Sequence, residues 1–277
     1  MYKILKRRAL NDAVILIEVD APHIAKKARA GQFIIFRVDA FGERVPLTIA
    51  DSDISRGSIT LIFQIVGNST RLLSQIPEGG FIQDVVGPLG VPTETEGAAR
   101  VCIVGGGVGC AIAYPQAKSL HNAGIPADVI AGFRSKDIVI LEEEMSKISR
   151  NLYITTDDGS YGEKGFVTNK LKSLLDGGAG YDLVIAIGPV IMMKMISELT
   201  REYNVKTVVS LNPIMIDGTG MCGCCRVSVG GVTKFACVDG PDFDAHQVDF
   251  DELNKRNQTY RSLEPHICRI TGEVRNA

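Results

Sequence analysis

The chain has 277 residues, 45% of them apolar and 22% charged, which excludes wholesale disorder and leaves room for two compact domains or slightly more. A formal net charge of −2 excludes the globally basic surface that nucleic acid or an anionic membrane selects. No run reaches the roughly 18 uncharged apolar residues that span a bilayer, and Met1 to Arg8 leads into an alternating acidic stretch rather than a signal core, so a soluble cytoplasmic protein is expected.

From the N-terminus, short alternating runs at Val14 to Val19, Gly31 to Val38, Ser58 to Val66 and Gly80 to Val86 are separated by Gly, Asp and Ser. This pattern predicts a small antiparallel β-barrel over residues 1–95. A short helix is expected at Ser69 to Gln75, with Ser69 as its N-cap. Arg44 can grip a diphosphate, Leu47-Thr48 can lie along a flavin ring, and Ser69-Thr70 can present helix-start amides to phosphate. Taken without the other motifs, these residues read first as an exposed salt-bridging Arg and an ordinary N-cap.

After Gly87-Pro88-Leu89-Gly90, buried-strand runs at Val101 to Val104, Ala127 to Ala131, Leu152 to Thr155, Leu183 to Ile187 and Thr207 to Leu211 alternate with amphipathic segments. They predict a doubly wound α/β domain with a parallel sheet over residues 96–211. Gly105-Gly106-Gly107-Val108-Gly109 stands directly after the first run, where glycines let backbone amides approach a pyrophosphate. The match to G-x-G-x-x-G fails at Cys110, and a tight turn explains the cluster too. Asp157 to Gly162 is loop-like and able to border a ribose, though turn chemistry also suffices. His23, His121, His246 and His266 share no spacing that marks a catalytic set, and G-x-S-x-G is absent.

Four of the seven cysteines fall between Cys222 and Cys237, a clustering that points to a metal rather than a disulfide framework. Asp217, Cys222, Cys225 and Cys237 follow the plant-type [2Fe-2S] pattern C-x4-C-x2-C…C, with Asp217 at the place of the first cysteine. Cys224 is the spare thiol and replaces Asp217 only by bending a very short loop. A zinc ribbon on Cys222, Cys225, Cys237 and one further ligand remains an alternative on this segment alone. Residues 212–247 are expected to form a small metal-dependent domain with little core of its own, and 248–277 a helix and tail.

Taken in order, Arg44 to Thr48, Gly67-Asn68-Ser69-Thr70, Gly105 to Gly109, Gly132-Phe133-Arg134-Ser135, Ile187-Gly188-Pro189 and the Asp/Cys cluster resemble the ferredoxin reductase superfamily along the whole chain. More closely, the chain resembles the dihydroorotate dehydrogenase B electron-transfer subunits. Closer again are the small subunits of NADH-dependent ferredoxin:NADP oxidoreductase, also described as sulfide dehydrogenase subunits. The resemblance implies an FAD-binding barrel, a domain for NAD(H) and a [2Fe-2S] domain. By position it assigns Arg44, Val45, Pro46, Leu47, Thr48, Ile62, Phe63, Gln64, Gly67, Ser69 and Thr70 to FAD. Gly105, Gly106, Gly107, Gly109, Arg134, Gly188 and Pro189 go to the nucleotide. It implies a heterodimer in which a larger subunit with a second FAD and [4Fe-4S] clusters handles NADP and ferredoxin. Asp217 departs from the four-cysteine dihydroorotate branch and matches the aspartate of the ferredoxin:NADP branch. Simple reductases end in an aromatic residue that covers the flavin, whereas this chain ends Arg275-Asn276-Ala277.

Overall fold

A computed structural model describes residues 1–259. The expected tail beyond Thr259, including Arg275 to Ala277, lies outside the described residues.

The first part consists of β1 (Tyr2–Ala9), β2 (Val14–Asp20), α1 (Pro22–Ala25), β3 (Phe33–Arg37), β4 (Val45–Asp53), β5 (Ser58–Gln64), α2 (Asn68–Gln75), β6 (Phe81–Ile82) and β7 (Asp84–Leu89). Its strands form one antiparallel sheet in the order β6-β1-β2-β5-β4-β3-β7. The two edge strands are separated only by Gln83, whose amide donates to Val38 O at 3.1 Å, so the sheet curls into a nearly closed barrel. Side chains alternate across a strand, and β2 and β5 use both faces. Ile15, Ile17, Val19, Ile59, Leu61 and Phe63 fill the barrel, while Val14 and Ile62 join the core of the second part.

The second part runs β8 (Val101–Gly106), α3 (Gly109–Asn122), β9 (Asp128–Phe133), α4 (Glu142–Ile148), β10 (Asn151–Thr156), β11 (Glu163–Lys164), α5 (Val167–Asp176), β12 (Leu183–Ile187), α6 (Val190–Glu202) and β13 (Lys206–Ser210). Its strands are parallel, as expected for apolar runs buried on both faces. Residues of α3 and α4 cover one face and residues of α5 and α6 the other. The sheet order β11-β10-β9-β8-β12-β13 reverses direction between β8 and β12. Lys118 Nζ on α3 pairs with both oxygens of Asp51 on β4 at 2.6–2.7 Å and ties this sheet to the barrel.

The segment expected to lack a core is more structured than its composition suggests. It contains a hairpin of β14 (Arg226–Val229) and β15 (Val232–Phe235), then α7 (Ala236–Asp239), β16 (Asp242–Asp244) and α8 (Phe250–Asn257). Gly230 and Gly231 both have positive φ, +60° and +75°, as a two-residue hairpin turn demands. β16 adds antiparallel to the outer edge of β13. Met215, Cys225, Val227, Ala236, Cys237, Phe243, Phe250 and Leu253 share one core with Val104 and Val184 of the second sheet and with Phe33 and Ile35 of the barrel. Hydrophobic burial therefore does hold this segment, against its neighbours rather than within itself. Among the described residues no helix is long and apolar enough to cross a membrane.

Candidate functional site

On the barrel, Val45 to Thr48 are the first residues of β4, paired with Phe36 to Phe33 of β3, and all four are half-buried. Ile62 to Gln64 end the neighbouring β5. Phe63 is a core residue, 2% exposed, so only its backbone is offered outward. Arg44 is exposed and lines a cavity of about 260 Å³ with Tyr2, Arg37, Asp84 and Val86. Arg37 is paired with Asp84, whereas Arg44 has no ion-pair partner among the described residues and is available for an anion.

The expected cap of α2 needs correction. The helix begins one residue earlier, at Asn68, and the Ser69 hydroxyl donates instead to Glu43 Oε2 at 2.9 Å. Thr70 does the local work: its buried hydroxyl accepts the amides of Val66 and Gly67 at 3.0 and 3.1 Å. The Glu43–Ser69 bond brings the start of β4 against the start of α2, so Arg44 and the free helix amides belong to one region.

The nucleotide candidates gather at the carboxyl ends of three adjacent strands. Gly105 and Gly106 end β8, Arg134 follows β9, and Gly188-Pro189 follow β12. This is the switch point between β8 and β12, where an open α/β sheet leaves a crevice for a ligand. A Cβ on Gly109 would stand 2.4 Å from Ile187 O, and one on Gly106 would stand 2.5 Å from Met192 Sδ. Gly107, at φ +57°, would meet nothing within 4 Å and faces open space that suits a diphosphate. Cys110, which breaks the glycine pattern, is buried beneath Gly105, and burial pushes its thiol up to about 12. The Asp157–Gly162 loop folds over the end of β9: Asp158 N donates to Arg134 O at 3.2 Å, and Lys136 N donates to Ser160 Oγ at 2.8 Å. Met192, packed over both Gly106 and Gly188, is a lining residue that no sequence motif marks.

In the third segment the four predicted ligands fall into two pairs. Asp217 accepts Thr219 N on Oδ1 at 2.8 Å and Cys222 N on Oδ2 at 2.9 Å, and these amides, Thr219 first, hold its carboxyl below the usual carboxylate range. Cys225 and Cys237 are both buried with sulfurs 3.2 Å apart, drawn together as Ala236 N donates to Cys225 O. Burial, and then Cys225 itself, pushes the Cys237 thiol up to about 12. Cys222 is exposed, and Cys224 is half-exposed with its thiol hydrogen-bonded to Cys222. Among the described residues no three such side chains converge on one point as a mononuclear ion requires. Asp217, Cys222, Cys225 and Cys237 supply one carboxylate and three thiols, the donor chemistry that a binuclear iron-sulfur centre takes.

A family model described as the iron-sulfur cluster binding domain of dihydroorotate dehydrogenase B matches residues 212–249. The Thermotoga maritima homolog of the electron transfer subunit of dihydroorotate dehydrogenase B (NAD(+)) is 46% identical over 264 residues, covering 95% of this chain and 93% of that one. The corresponding Fusobacterium nucleatum subunit is 34% identical over 230 residues, covering 80% and 87%. The chain belongs to the family of dihydroorotate dehydrogenase B electron-transfer subunits and their homologues. A solved structure titled for flavin-based electron bifurcation in NADH-dependent reduced ferredoxin-NADP oxidoreductase superposes at a TM-score of 0.92, with 44% identity and 98% of each chain covered. The family's iron-sulfur segment thus coincides with the paired Asp217, Cys222, Cys225 and Cys237. The barrel and glycine crevice precede it in the same chain.

Proposed function

We propose that this chain is the flavin and iron-sulfur electron-transfer subunit of a cytoplasmic, electron-bifurcating NADH-dependent ferredoxin:NADP oxidoreductase. The observation that carries the reading is the superposition over 98% of both chains, combined with an aspartate in place of the first cluster cysteine. When bound, FAD, NADH and a [2Fe-2S] cluster would together supply the chemistry, the nicotinamide giving a hydride to the flavin and the cluster carrying its electrons singly. The chain's own residues bind and orient. Arg44 and the α2 amides neutralise a diphosphate at the barrel rim, with Val45 to Thr48, Ile62 to Gln64 and Gly67 beside it. Gly105 to Gly109, Arg134 and Gly188-Pro189 hold the nucleotide at the switch point. Asp217 with Cys222, and Cys225 with Cys237, hold the cluster in residues 212–247. A larger partner subunit carrying flavin and [4Fe-4S] clusters takes the electrons to ferredoxin and NADP.

The names of the family relatives favour a second reading, an electron-transfer subunit for an NAD-dependent dihydroorotate dehydrogenase. Metal analysis with visible and EPR spectra of the anaerobic protein, wild type and Asp217→Cys, tests both the cofactors and the ligand set. Flavin absorbance, about two irons per chain and a reduced-state signal that moves in the variant are expected. Zinc without flavin would leave only a non-catalytic nucleotide-binding module. An unmoved signal removes Asp217 from the ligand set. The partner that co-purifies separates the two enzyme readings.

A further inference from the structure

Two guanidinium groups grip the backbone of the short turn between Cys222 and Cys225. Arg226 Nη1 donates to Gly223 O at 2.7 Å, and Arg256 Nη2 donates to Cys224 O at 3.3 Å. The two arginines differ in setting. Arg226 opens β14 and is exposed, whereas Arg256 is half-buried and comes from α8, beyond the 212–249 segment matched by the iron-sulfur family model. Arg256 Nε is buried without a hydrogen-bond partner, and no carboxylate pairs with the group among the described residues. A cation half withdrawn from water without a counter-ion is unfavourable unless negative charge stands nearby.

The donor set supplies that charge. Two ferric ions and two sulfides make a dipositive core, and three thiolates with one carboxylate turn the loaded site into a dianion. One-electron reduction, ferric to ferrous with no bond broken, makes it a trianion. A fixed neighbouring cation favours the more negative form and so raises the reduction potential.

We propose that Arg256 is a positioning and charge-setting residue of the cluster loop, holding the Cys222–Cys225 turn through the Cys224 carbonyl and raising the potential of the centre bound there. The proposal rests on the cluster reading above. It assigns a role to α8, which brings no metal ligand of its own.

The test is an EPR-monitored redox titration of the full-length anaerobic protein, with iron and sulfide counted in each sample. Arg256→Gln is shorter, keeps an N–H donor and loses the charge, and Arg256→Lys, which keeps the charge, separates that loss from the loss of the carbonyl contact. Arg256→Gln should keep the cluster and lower the midpoint potential by about a tenfold change in the reduction equilibrium, ~59 mV for one electron. Arg256→Lys should stay near wild type. Arg226→Gln should move less, because water and salt screen an exposed charge. A fully loaded Arg256→Gln protein at the wild-type potential overturns the proposal, as does Arg256→Lys falling as far as Arg256→Gln. If Arg256→Gln sheds its cluster, the lysine variant decides: a wild-type potential supports the charge role and a lowered one defeats it. Wild-type protein without two irons and a reduced-state signal fails the cluster reading itself, a result visible before any variant is compared.

Discussion

The Asp242 carboxyl accepts the hydroxyl of Thr93, which in turn accepts an N–H of Gln116 Nε2. One chain of bonds thus joins the strand after the metal loop, the link between barrel and second sheet, and the helix behind the glycine turn. Burial pushes the Asp242 carboxyl up to about 6 from its ordinary 3.8, while the Ser210 and Thr93 hydroxyls pull the other way. Between those two values the unfolded chain has already lost the proton that the folded chain keeps. Stability therefore falls as pH rises through the window, by roughly 3 kcal/mol in all for about two pH units. Asp242→Asn keeps an acceptor for Thr93 and removes the titration. Its stability relative to wild type should rise by roughly 1–2 kcal/mol between pH 5 and 7.5 in urea unfolding of cluster-free protein. A constant difference across that range would refute the assignment. Sequence could not show this network, because its members lie 23 and 149 residues apart. The proposed metal ligands could be picked out in the sequence because three of the four crowd into nine residues whose spacing is itself the signal.

At the level of elements, the glycine turn separates packing from binding. Gly109 is forced by the approach of α3 to the end of β12, so Gly109→Ala should cost about 1–3 kcal/mol, seen as a lowered unfolding midpoint. Gly107→Ala meets no neighbour and bears only the backbone strain of φ +57°, about 1 kcal/mol. It should instead raise the KM for NADH about tenfold or more, by filling the space left for phosphate. Equal effects on stability and KM in both variants would contradict this division. Alternation made β2, β3 and β5 readable, and apolar runs made the parallel strands readable. β1 escaped because Lys3, Lys6, Arg7 and Arg8 break its pattern on an exposed face. The β14–β15 hairpin escaped because its strands are only four residues each and lie inside a Cys- and Gly-rich segment, although Gly230-Gly231 was an explicit turn signal.

For the whole molecule, the decisive fact is that one core runs from Phe33 and Ile35 of the barrel through the parallel sheet to Phe243 and Leu253. Separate domains would unfold separately; a shared core couples them. Phe243→Ala should cost about 3–5 kcal/mol, and flavin release and far-UV circular dichroism should shift together in urea. Two resolved transitions would show that the modules are independent. The same architecture bears on biosynthesis. The barrel strands are all complete by Leu89, so that unit can close early on the ribosome. The outer edge of β13, bearing Thr207-Val208-Val209, stays bare until Asp242 to Asp244 emerge. Nascent chains stalled between those points display an unpaired β-branched strand, the form most open to chaperone capture and to pairing with a neighbouring polypeptide.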